Sequence, residues 1–150
     1  MVKPSERTVF VGEFHHACDE KNRVAIPAKW RAAAKGSRDF YVVPVPGNHL
    51  VVYPNTEMDK MLERAADISL GEYERRDTLR LIAGRAHATP CDKQGRITLT
   101  DGLRRHAGIE SEAVLVGALN KFEIWSPQRL AEVQTNTERD FTDRVKTLGL

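Results

Sequence analysis

The segment CDEKNRVAIP, Cys18 to Pro27, sets an acid and an arginine four residues apart, Asp19 and Arg23, across a turn-like Lys21-Asn22. By itself the spacing says little, because a carboxylate that bonds turn amides and pairs with an arginine is an ordinary structural device. The chain has nine Asp and fifteen Arg and holds four D-x-x-x-R pairs, the others being Asp92/Arg96, Asp101/Arg105 and Asp140/Arg144. Context separates them. HATPCDKQGRITLTDGLR, His87 to Arg104, aligns with the first segment at a shift of 73 residues, so that Cys18 falls on Cys91, Asp19 on Asp92, Arg23 on Arg96, Val24 on Ile97 and Ile26 on Leu99. At a shift of 72, NHLVVYPN (Asn48 to Asn55) lies over NKFEIWSP (Asn120 to Pro127). The chain is therefore two copies of one unit, and two of the four pairs recur inside it. Asp101/Arg105 and Asp140/Arg144 fall in helix-like surroundings, where this spacing predicts a surface ion pair.

Each copy reads alike. An alternating run leads to the Asp, and a turn follows with Asn22 or Gly95 where a positive φ is needed. A short strand comes next, Arg23 to Ile26 or Arg96 to Leu99, and Pro27 or Thr100 opens a short helix, Ala28 to Ala34 or Asp101 to Ala107. Hairpins are expected at Phe40 to Val45 with Leu50 to Tyr53, turned by Pro46-Gly47-Asn48, and at Ala113 to Val116 with Phe122 to Trp125. A helix from Thr56, with Met58, Met61, Leu62 and Ala65 as its inner face, closes the first copy. One from Ser126-Pro127, with Leu130 and Val133 inward, closes the second. Gly71 to Ala83 reads as a connecting helix with Tyr73, Leu79 and Ile82 inward and its arginines outward. The fold expected is α+β and rich in β.

The 150 residues are enough for a real core without staples. Apolar residues make up 41% and charged residues 29%, as in a soluble globular protein, and no apolar run approaches the roughly 20 residues of a membrane span. MVKPSERT at the start has no apolar signal-peptide core, so a cytoplasmic location is expected. In that compartment Cys18 and Cys91 are free thiols. The net charge of +2 does not by itself argue for nucleic acid. Placement does: Arg75, Arg76, Arg80 and Arg85 cluster, and basic residues follow each of the recurring pairs.

A turn needs its Asp and its Asn or Gly, but it does not require an Arg at the same place twice. An arginine at a hairpin tip, its fork held by a neighbouring carboxylate, suits phosphate or guanine recognition. Lys21, Lys29 and Arg31 in the first copy, and Lys93, Arg104 and Arg105 in the second, are placed to add phosphate contacts. A metal site is disfavoured, since alternation points His16 and Cys18 one way and His15 the other, and no C-x-x-C occurs. The matched cysteines read as small packing residues. No P-loop, G-x-G-x-x-G, H-E-x-x-H or nucleophile elbow is present, so neither an enzyme nor a cofactor is expected. Phe122, Trp125 and Tyr53, beside aliphatics on alternating strands, read as core or subunit contact rather than as a base-stacking platform.

VGEFHHACDEKNRVAIPAKWR in the first half, with CDKQGRITLTDGLRRHAGI and VLVGALNKFEIWS in the second, closely resembles the MraZ family of bacterial transcriptional regulators over about Val9 to Val133. The resemblance implies the AbrB-like swapped-hairpin fold, with two units forming one pseudo-two-fold barrel and helices at its periphery. The units are expected at 9–70 and 86–134, with an arginine-rich connecting helix at 71–85 and a tail at 135–150. It also implies double-stranded DNA as partner, bound through the two D-x-x-x-R loops at repeated promoter boxes upstream of the division and cell-wall gene cluster, in the cytoplasm and nucleoid, by a homo-oligomeric ring. The family motif falls on Asp19 and Arg23 and on Asp92 and Arg96. Asn22 stands where the family usually has Gly, a substitution the left-handed region tolerates, and the extension Met1 to Thr8 precedes the usual start. The rival readings are an AbrB-like antitoxin whose main task is holding a protein partner, and a structural ring protein without specific DNA binding.

Overall fold

The computed structural model describes residues 9–34 and 39–150, and the extension Met1 to Thr8 lies outside them. In the first half, β1 (Glu13–Ala17) enters the D-x-x-x-R turn and β2 (Arg23–Ala25) leaves it. Then follow α1 (Ala28–Ala33), β3 (Asp39–Val45), β4 (His49–Pro54), α2 (Asn55–Ala66) and α3 (Tyr73–Arg85). The second half repeats the series as β5 (His87–Pro90), β6 (Arg96–Thr98), α4 (Asp101–Ala107), β7 (Glu112–Gly117), β8 (Phe122–Trp125) and α5 (Pro127–Arg139), and ends in α6 (Phe141–Lys146). Local chemistry fixes the boundaries. Thr100 Oγ1 accepts from the Leu103 amide to cap α4, and Ser126 Oγ accepts from the Arg129 amide, with Pro127 opening α5. The β3–β4 hairpin turns through Gly47 and Asn48, both at positive φ (94° and 57°), as a tight hairpin requires.

The two halves are interleaved. Six antiparallel strands form one sheet in the order β1-β7-β8-β4-β3-β5. The leading strand of the first copy, β1, pairs with β7 of the second, and β5 of the second pairs with β3 of the first. The registers are equivalent: Phe14 opposes Leu115 just as His87 opposes Val42. Where the halves meet directly, β4 and β8 pair about Val51 and Glu123, and β2 and β6 about Val24 and Ile97. Each of these central pairs joins equivalent residues of the two copies, so a local two-fold relation runs through both ladders.

The expected barrel is not closed. Among the described residues the large sheet ends at β1 and β5 with no ladder between them, and β2 and β6 form a separate two-stranded ribbon. The cause is the shortness of β2 and β6: three residues each are spent on one another, and a single bridge, Cys18 to Val24, joins the ribbon to β1.

One face of the large sheet, the inner faces of the ribbon, α1 and α4 enclose the main core. At its centre Trp30 (1% exposed) packs edge-on to Phe10 and Phe14 and tilted against Phe122, and Phe122 also meets Phe40. The opposite face holds a smaller cluster in which Leu130 of α5 covers Val114 and Trp125. Phe122 and Trp125 are thus core residues, as their strand context implied. The inner faces assigned to the middle helices fare differently. Tyr73 is 71% exposed, Leu79 38% and Leu62 61%, while Met58, Met61, Ala65 and Ile82 are half-buried. Neither α2 nor α3 fully buries any residue, because α2 touches β4 and β3, α3 touches β3, and among the described residues nothing covers the rest of either helix. Val133, expected inward on α5, is 43% exposed.

Replacing Trp30 with Ala should cost about 3–5 kcal/mol, the usual range for emptying a packed aromatic site. Chemical denaturation measures it, and a loss below about 1 kcal/mol would place the core elsewhere.

Candidate nucleic-acid interface

The two D-x-x-x-R turns have the same geometry. In the first, Asp19 Oδ1 accepts from the amides of Lys21 (2.9 Å) and Arg23 (2.8 Å), while Oδ2 accepts from Arg23 Nε at 2.7 Å. In the second, Asp92 Oδ1 accepts from the amides of Gln94 and Arg96, both at 2.9 Å, and Oδ2 from Arg96 Nε at 3.0 Å. The backbone closes each turn identically, with the Asn22 amide donating to the Asp19 carbonyl and the Gly95 amide to that of Asp92, both at 3.0 Å. Asn22 and Gly95 take φ of 61° and 78°, the conformation their residue types were expected to supply.

These bonds set the charge on the aspartates. The Arg23 backbone amide holds the Asp19 carboxyl below the usual aspartate range, aided by the Arg23 side chain, and Arg96 does the same for Asp92. Burial pushes the Cys18 and Cys91 thiols up, offset in part by Arg104 beside Cys18 and Arg31 beside Cys91. Cys18 belongs to the main core and Cys91 packs against it, so both serve packing.

Pairing of β2 with β6 sets Arg23 opposite Thr98 and Ala25 opposite Arg96. Alternation along a strand then puts Arg23, Ala25, Arg96 and Thr98 on one face of the ribbon and Val24 and Ile97, both at 0% exposure, on the other. The arginines lie diagonally across the ribbon, about 8 Å apart at Cα from strand spacing alone. Their side chains are 32% and 27% exposed, and among the described residues the aspartate engages only the Nε edge of each guanidinium.

Lys21 and Lys93 are exposed in the turns, as are Lys29 and Arg31 on α1 and Arg105 on α4. Arg104 is half-buried and mostly spent within the protein. Its Nε donates to the Ile109 carbonyl (3.0 Å), Nη1 to the Asp19 carbonyl (2.9 Å) and Asn22 Oδ1 (2.7 Å), and Nη2 to the Glu110 carbonyl. Asp101 does not pair with Arg105 as its spacing suggested: it accepts from Asn22 Nδ2 at 2.7 Å, which draws it toward the first turn. Asp140 and Arg144 do form the expected surface pair, at 3.7 Å. The arginines of α3 are divided, with Arg75 bound to Glu72 and Arg80 to Asp77. Sequence reasoning missed Thr98 on the ribbon face, and it also missed Arg129, which donates to the Asn48 and His106 carbonyls and fixes α4 against the β3–β4 hairpin. Alternation from Arg96 was the signal for Thr98, whereas the Arg129 contacts arise only from tertiary packing, which leaves no local signal. Among the described residues no three His, Cys, Asp or Glu side chains converge as a metal site would need.

Fold and site together define a duplicated α+β protein whose two copies build one ribbon with a paired-arginine face. A family model described as "MraZ protein, putative antitoxin-like" matches the chain twice, over residues 9–81 and 82–149, and the chain belongs to the MraZ family. Relatives include the transcriptional regulator MraZ of Lachnoclostridium phytofermentans, 34% identical over 95% of this chain and 99% of the relative. The protein of the same name from Thermomicrobium roseum is 36% identical over 82% and 85%. That of Mycolicibacterium smegmatis is 34% identical over 89% and 92%.

Two outcomes follow from the turns. Because both aspartates titrate below their ordinary range when folded, the stability they contribute is complete above that range and is lost as pH falls from it through the lower folded values. Thermal melts should therefore steepen in their pH dependence below the ordinary aspartate range, and Asp19→Asn with Asp92→Asn should flatten that limb. An unchanged limb would mean that the carboxylates do not hold the turns. Separately, Gly95→Ala should destabilise by about 1 kcal/mol or more, since φ of 78° is costly for a side chain, whereas Asn22→Gly should cost less in the same denaturation experiment.

Proposed function

We propose that the chain is a sequence-specific, DNA-binding transcriptional regulator that uses Arg23 and Arg96 to read repeated boxes upstream of the division and cell-wall gene cluster. It would act in the cytoplasm, on the nucleoid, without a cofactor and as a homo-oligomeric ring. The observation that carries the reading is the ribbon: a two-stranded β-ribbon fits the major groove of B-DNA, and this one bears two arginines on its outward face with apolar residues inward. Each guanidinium is aimed by an aspartate at its Nε edge, leaving the Nη edge for a guanine. Lys21 and Lys93 in the turns, Lys29 on α1 and Arg105 on α4 are exposed and would supply the phosphate attraction that positions a duplex. The names of the relatives support regulation of transcription.

One arginine reading guanine bidentately contributes about 1–3 kcal/mol of discrimination, too little to single out a promoter in a genome. Repetition supplies the rest. The uncovered apolar residues Leu62, Leu79 and Tyr73 on α2 and α3 suit contact with further copies, and a ring presenting one ribbon per chain would engage boxes repeated in one direction. We take 9–70 and 86–134 as the working units, joined by 71–85 and followed by 135–150. The family description and the same apolar surface also fit a protein-holding antitoxin, which would copurify with a stoichiometric partner.

Arg23→Ala and Arg96→Ala should each weaken binding to the protein's own upstream region by about tenfold or more with melting unchanged. Unaltered affinity in both folded variants would remove the loops from the interface. Affinity should also climb steeply from one box to four, and fall when spacing shifts by about 5 base pairs, half a helical turn. Equal affinity for one and several boxes would show that each chain binds alone.

A further inference from the structure

We propose that Arg31 and Arg104 are positioning residues that act across the duplication, each securing the D-x-x-x-R turn of the other copy. For its consequence in recognition, the proposal rests on the DNA-binding reading above. The two arginines are equivalent, 73 residues apart at the same place in α1 and α4. Each reaches the turn of the other copy. Arg104, on α4 of the second copy, donates through Nη1 to the Asp19 carbonyl and to Asn22 Oδ1 of the first, while Nε and Nη2 are anchored on the Ile109 and Glu110 carbonyls. Four of its five N–H donors are thereby committed. Arg31, on α1 of the first copy, is anchored by Nε on the Ile26 carbonyl, and its guanidinium lies against Gly95 of the second so closely that a Cβ there would sit 2.5 Å from Cζ.

The backbone makes the same exchange. The Leu99 amide donates to the Asn22 carbonyl and the Ile26 amide to the Gly95 carbonyl, both at 2.8 Å. Each turn is thus built by its own Asp and held in place by the opposite copy. The two braces differ in kind. The first is polar, through Asn22, which also donates to Asp101 Oδ1. The second is steric, because Gly95 offers no side chain and leaves room only for the Arg31 fork. A lysine carries the same charge as Arg104 but cannot reproduce a planar fork bound to several acceptors. Removing Arg104 should therefore misdirect Arg23 and leave Arg96 in place, and removing Arg31 should do the reverse.

Amide hydrogen exchange on the free protein tests the brace without DNA. In Arg104→Ala the Lys21 and Arg23 amides should exchange faster by about tenfold or more, with Gln94 and Arg96 unchanged. Asn22→Gly, which keeps the turn conformation and removes only the side chain, should reproduce part of the effect, and Arg31→Ala should act on Gln94 and Arg96 instead. In binding titrations on a boxed duplex, Arg104→Ala should be non-additive with Arg23→Ala and additive with Arg96→Ala. Its salt slope should match wild type, whereas loss of a phosphate contact would lower the slope by about 0.9. Acceleration at the turn of the arginine's own copy, a reduced salt slope, or full rescue by Arg104→Lys would overturn the proposal. Crossed exchange effects in a protein that shows no specific DNA binding would support the brace and overturn the DNA-binding reading.

Discussion

The paired-arginine face depends on one register, the pairing of β2 with β6 about Val24 and Ile97. The residues at that centre are equivalents, so alternation compels both apolar side chains inward and both arginines outward. A slip of one residue would reverse every side chain on the strand. Magnitudes show which interaction sets the register. Burying a valine or isoleucine side chain contributes about 1.5–3 kcal/mol, whereas an ion pair open to solvent on one side, such as Asp19 with Arg23, contributes about 0–1 kcal/mol. The apolar centre fixes where the ribbon lies, and the aspartates aim what it carries.

The same register explains why the halves cannot act apart. β1 is completed by β7 and β5 by β3, so the leading strand of either copy has its partner in the other. Orientation of Arg23 relative to Arg96 is consequently a property of the whole chain. The ribbon contrasts with α2 and α3, which lie against β3 and β4 and keep Leu62, Tyr73 and Leu79 in solvent. On the proposed reading, recognition falls to the ribbon built from both copies, and assembly to the helices left uncovered.

Much of this was legible in the sequence because it was encoded locally and twice. The recurrence of Asp, Asn or Gly, and Arg at fixed spacing gave the turns, the hairpins appeared as alternating runs with turn residues between them, and Thr100 and Ser126 marked the starts of their helices. What was not legible depended on contacts between distant segments. The barrel was expected to close, yet β2 and β6 are too short to pair with one another and also bridge the sheet edges. Tyr73 and Leu79 sit at helical spacing, and periodicity does not say whether anything covers that face. Arg104 looked like a phosphate ligand because it lies beside a basic tip, but its acceptors are carbonyls 85, 6 and 5 residues away and an amide oxygen 82 away.

The central claim is that one ribbon, made from both copies, reads guanines in the major groove through Arg23 and Arg96. Methylation interference on a duplex bearing the boxes tests it most directly, because a methyl group at guanine N7 occupies the position where a bidentate arginine would bond. The account predicts that N7 methylation of guanines within each box blocks binding, and that Arg23→Ala and Arg96→Ala each abolish interference at a different guanine. Interference confined to adenine N3 in the minor groove, or a pattern that neither substitution alters, would contradict it.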